Sequence, residues 1–148
     1  MAQSLAIEGY LASISPNFSS LSPQQRAVDV QYCAIKEDVL AGCAKQVFGD
    51  RDAAETTKHL DKWFGLLESS VPEEGFINGF AFPTAADCAV LNTCTGYMPF
   101  GAALKLANYD IAAKAPKVKA LADRTAAAAG IKEYLATAVS TDANPWGK

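Results

Sequence analysis

Apolar side chains recur at helical spacing along most of the chain. Val28, Tyr32, Ile35, Val39, Cys43 and Val47 step by four, three, four, four and four residues and form one continuous stripe. Ser22 precedes it as an N-cap, Pro23 takes the first helical position, Gln25 completes a capping box, and Gly49 and Asp50 close the helix. A second stripe, Ala53, Thr56, Leu60, Trp63/Phe64 and Leu67, predicts a helix over roughly 52–69 that ends in the turn VPEEG. The apolar, glycine-containing loop FINGFAFP then leads to Thr84-Ala85-Ala86-Asp87, a T-x-x-D capping box at the head of an apolar helix reaching about Thr95. Gly96–Gly101 breaks that helix. A short helix follows near 102–107, then one from Pro116 to Ala129. In the latter Val118, Leu121, Ala122 and Thr125 face inward and Gly130 is the C′ residue. A last helix covers 131–139, and the tail TDANPWGK is polar apart from Trp146.

The beginning of the chain is helical too. Ser4 is a fit N-cap for a helix carrying Leu5, Ile7, Tyr10 and Leu11, and SISPNFSSLS (13–22) reads as a polar connector. No strand pattern and no internal repeat occurs. The fold class is therefore all-α, a helical bundle built on the long second and third helices.

Composition narrows the chemistry. The 148 residues are half hydrophobic and one-fifth charged, with a net charge of −3, which suits one globular domain. No Lys/Arg cluster points to nucleic acid, and no apolar run approaches the ~18 residues of a membrane-inserting helix. The first thirteen residues contain Glu8 and lack the basic start of a signal peptide. Cys33, Cys43, Cys88 and Cys94 include no C-x-x-C, and the single His59 reads as a surface residue without a role, so no metal site is expected. The cysteines read as small buried thiols of a protein in a reducing intracellular compartment.

Three stretches carry a resemblance. QSLAIEGYL resembles the segment that closes the thioredoxin-like domain of glutathione transferases. GFAFPTAAD is similar to that family's helix cap. APKVKALADRTAAAAGIKEYLA is similar to its closing pattern, in which a Pro-started helix precedes a short helix ending in I-x-x-Y-L. The order of elements agrees, and the nearest branch is sigma-like. The resemblance implies three parts: residues 1–13 as the last helix of a truncated thioredoxin-like domain, 14–22 as a linker, and 23–148 as the C-terminal-like helical domain.

The resemblance also assigns roles. Taken alone, Ser4 caps its own helix; by resemblance, Gln3 and Ser4 hold the γ-glutamyl end of glutathione, at a helix N-terminus suited to a carboxylate. Glu37 falls on an acid that reaches across a homodimer interface to the γ-glutamyl amine, with Asp38 as the alternative, and Asp29 falls on a further family acid. Some sigma-like members bind a divalent cation through interface acids. Here those positions include Cys33 and Lys36, so no metal is implied. Val39, Cys43 and Val47 are the candidate hydrophobic pocket, and an apolar stripe is also what a core looks like. Thr84 and Asp87 are a buried structural cap. The family's thiol-activating donor lies in the part of the thioredoxin-like domain that precedes such a helix, so this chain alone is expected to be inactive. Two functions follow: the helical part of a transferase that joins glutathione, its substrate, to hydrophobic electrophiles or isomerises them, or a non-catalytic adaptor subunit of a larger protein assembly.

Overall fold

A computed structural model describes residues 3–138. Met1, Ala2 and the stretch from Val139, including Trp146, lie outside the described residues. Eight α-helices and no strand are present among those described: α1 (Ser4–Ser13), α2 (Pro23–Lys45), α3 (Ala53–Ser70), α4 (Ala85–Thr93), α5 (Phe100–Leu106), α6 (Ile111–Lys114), α7 (Pro116–Ala127) and α8 (Ile131–Thr137). The all-α bundle expected from the periodicity is the fold observed.

Both long helices start as the sequence indicates. Ser22 Oγ accepts from the Gln25 amide at 3.2 Å while the Gln25 side chain accepts from the Ser22 amide at 2.9 Å. Asp52 caps α3 by accepting from Ala54 and Glu55. α2 runs on as a π-helical turn, Gln46–Asp50, and the chain leaves it at Arg51 in the left-handed region.

Four local expectations are corrected. Gln3, with φ 77°, stands at the N-cap of α1, so Ser4 is the first helical residue and not the cap. α7 ends at Ala127, and Gly130, with φ 80°, precedes α8. There its amide donates to the Glu133 carboxylate. α6 is an additional turn, started by Asp110, which accepts from the Ala113 amide at 3.2 Å. His59 is half-buried, not a plain surface residue. Its Nε2 donates to the Val39 carbonyl at 3.1 Å, and its ring fills the space over Gly42, where a Cβ would lie 2.0 Å from the ring. Gly42 therefore permits the close approach of α2 and α3.

The core gathers Val39 and Cys43 from α2, Leu60, Phe64 and Leu67 from α3, Val90 from α4, and Val118 and Leu121 from α7. α4 packs between α2 and α7. Two of these contacts are made by carboxylates reaching onto the heads of neighbouring helices. Glu68 of α3 accepts from the Lys117 and Val118 amides at 3.1 and 3.0 Å and so caps α7. Asp29 of α2 accepts from the Ala86 amide at 3.0 Å, at the head of α4.

Around Asp29 lies a buried polar cluster. Its Oδ1 also accepts from the Thr84 hydroxyl at 2.6 Å and from Asn78 Nδ2 at 2.9 Å. Asp87, fully buried, accepts from the Thr84 amide and, from the preceding loop, the Ile77 amide, both at 2.8 Å. Burial pushes the Asp87 carboxyl up, against the pull of these amides, and the nearby Asp29 charge adds to the rise. The expected reciprocal bond from Asp87 to Thr84 is present. The Thr84 hydroxyl, however, makes its shortest bond across to α2, which the sequence reading did not include.

Asp87→Ala strands the Ile77 and Thr84 amides. The expected destabilisation is about 2–4 kcal/mol, a melting temperature lower by about 5–12 °C in a thermal scan. An unchanged melting temperature would contradict the role given to Asp87.

Candidate functional site

α1 has no buried side chain. Leu5, Ile7, Tyr10 and Leu11 are between 41 and 56 % exposed, so this short helix carries four largely uncovered apolar residues. Its polar side is fixed to α2 instead. Glu8 accepts a hydrogen bond from Lys36, which is only 4 % exposed, and Glu37 Oε1 lies 3.0 Å from the same ammonium. Burial works against the Lys36 charge, but the two carboxylates outweigh it and raise its pKa. Burial likewise pushes Glu37 up, yet the adjoining Lys36 ammonium and the nearby Ser4 hydroxyl bring it below its ordinary value. Ser4 and Glu37, which the resemblance assigns to a glutathione contact within one subunit and to one across a dimer interface, are neighbours within one chain. Gln3, immediately before Ser4, is exposed, as is Asp38.

An open cavity of about 450 Å³ lies beside this ion pair, between α1, α2, α4 and the connector. Its wall is mainly apolar, and Glu8, Asp29 and Lys36 supply charge. The connector is not a slack linker. Phe18–Ser20 forms a 3₁₀ turn, Leu21 is buried, and the Arg26 guanidinium stacks on Phe18 at 4.2 Å. Val39 and Cys43 are core residues and Val47 is half-buried against the core; none of the three lines this cavity. Thr84 does, with its hydroxyl committed to Asp29.

The four thiols are free, and Cys88 departs from the expectation of burial because it is exposed beside the cavity. Burial pushes Cys33 and Cys94 up to about 12, and Cys43 up to about 11. In Cys33 the Glu8 charge adds to the rise. None of these three is poised as a nucleophile at neutral pH. Among the described residues no three His, Cys, Asp or Glu side chains converge to hold a metal ion, and no helix is long and apolar enough to cross a membrane.

Sequence reasoning missed Glu8, Lys36, Asn78 and the bridging role of Asp29. Asp29, Cys33 and Lys36, spaced four and three apart, form a second buried row on α2, whose two charged residues kept it from standing out as an apolar stripe.

The model of the family described as Glutathione S-transferase, C-terminal domain, matches residues 37–138. The match begins within α2, so α1 and the connector lie before it. Neither a curated protein nor a solved structure matches the chain significantly. The matched span covers well over half of the 148 residues and coincides with the packed bundle from mid-α2 to α8, and by it the chain belongs to the glutathione S-transferase family through its C-terminal helical domain.

Proposed function

We propose that the protein is the helical portion of a sigma-like glutathione transferase that joins glutathione to hydrophobic electrophiles. The observation that carries this reading is the exposure of α1. Leu5, Ile7 and Tyr10, large apolar side chains on a short helix with no buried residue, call for a covering surface. A thioredoxin-like domain packed there would supply both the cover and the thiol-activating donor. Within this chain the roles fall to α1 and α2. The exposed Gln3 amide and the Ser4 hydroxyl bind the γ-glutamyl carboxylate of glutathione. Glu37, or the exposed Asp38, faces the γ-glutamyl amine of a second subunit in a homodimer.

On this reading the thioredoxin-like domain supplies the activating donor, so the isolated 148 residues should not conjugate glutathione to an aromatic halide above the uncatalysed rate. Supplying a glutathione-transferase thioredoxin-like domain should restore turnover. Transferase-level activity in the isolated chain would overturn this reading.

The Ser4 site depends on α1 being held by Lys36. Because Lys36 is raised in the fold, its contribution to stability is complete below the ordinary lysine value of 10.5 and is lost as pH rises through the raised value. Because Glu37 is lowered, its contribution is present above the ordinary value of 4.5 and is lost as pH falls through the lowered one. Lys36→Met should therefore destabilise the chain most between those two values, by about 1–2 kcal/mol given the part-exposed carboxylates. The gap from wild type in melting temperature should narrow at both extremes. A gap independent of pH would contradict the ion-pair account.

A further inference from the structure

We infer that the cavity between α1, α2 and α4 binds a small apolar amine, with its body among the apolar walls and its ammonium on Glu8. This inference does not rest on glutathione chemistry.

The body of the ligand is set by the walls. Leu11 of α1, Phe18 and Leu21 of the connector, Phe82 and Pro83 of the loop before α4, and Ala89 of α4 all line the cavity. A space of about 450 Å³ lies within the range of ordinary small-molecule sites.

The head group is set by charge. Three charged side chains reach the cavity: Glu8, Asp29 and Lys36. Asp29 is buried, and its Oδ1 already accepts from Thr84, Asn78 and Ala86. Lys36 is enclosed between Glu8 and Glu37, so one ammonium serves two carboxylates and the surroundings keep an excess of negative charge. That excess is most open to a ligand at Glu8, whose side chain is 34 % exposed while Lys36 and Asp29 are buried. A carboxylate offers about four acceptor positions, so Glu8 can serve Lys36 and still receive a ligand N–H. An anion would meet Glu8 and Asp29 across an apolar space, where like charges repel most. A cation gains a charge-assisted hydrogen bond there.

Three probes of nearly the same shape separate these cases: naphthylmethylamine, naphthylmethanol and naphthoic acid, titrated calorimetrically into the full chain at neutral pH. The amine should bind about tenfold more tightly than the alcohol, and the acid more weakly than both. Glu8→Gln should remove the preference for the amine, bringing its affinity to that of the alcohol in the same variant. Because Glu8→Gln also disturbs the hold on α1, a second variant is needed. Cys88→Phe, at an exposed position beside the cavity, should abolish binding of both amine and alcohol while circular dichroism keeps its helical signal. The inference is overturned if the acid binds as tightly as the amine. It is equally overturned if Glu8→Gln leaves amine affinity unchanged or Cys88→Phe leaves it intact.

Discussion

Asp29 places a carboxylate from the middle of one helix onto the head of another, and the arrangement of the bundle hangs on that contact. A buried carboxylate is tolerated only when its acceptor positions are filled. Here the donors come from three separate places: the Thr84 hydroxyl before α4, the Ala86 amide within its first turn, and Asn78 in the loop. Satisfying Asp29 therefore fixes the start of α4 and the path of the loop relative to α2. Glu68 does the same for α7. α4 and α7 have nine and twelve residues, lengths that are marginal for isolated helices in water. Their N-termini are held by carboxylates anchored on the two long helices, so packing and capping act together.

The same row of α2 defines the candidate site. Asp29 fixes α4 at one end of the row, Lys36 fixes α1 through Glu8 at the other, and Cys33 lies between them. The cavity is the space left where these three helices and the connector meet. Its shape and charge follow from two polar residues whose first task is to join helices. α1 has no buried side chain, so its position against the bundle depends strongly on the buried ammonium. That dependence links the Ser4 end of α1, the proposed glutathione contact, to the cavity wall.

The periodic apolar stripes made the long helices and most of the core legible, because burial of Val39, Leu60, Phe64 and Leu67 is a property of spacing alone. The capping boxes of α2 and α4 were legible for a similar reason, since their partners lie three residues apart. Contacts that cross between elements were not. Nothing local distinguishes Asp29 or Lys36 from solvated charges on a helix face until the apposed surface of α4 or α1 is known. The same holds for His59, whose place over Gly42 depends on how closely α2 and α3 approach. The stripe of α2 was read correctly as periodic, but Val39 and Cys43 proved to be core, and the cavity lies along the neighbouring polar row. Pattern identifies what is buried, whereas which buried row borders a cavity is decided by tertiary packing.

The most direct test of this account is a double-mutant cycle between Asp29→Ala and Thr84→Val, read by denaturant unfolding. If Asp29 holds the head of α4 through the Thr84 hydroxyl, the two changes are strongly non-additive, with a coupling energy of about 1–3 kcal/mol and the second substitution adding little to the first. Additive effects, with a coupling of about zero, would mean that α4 is positioned by its apolar face alone and would contradict the central place given to Asp29.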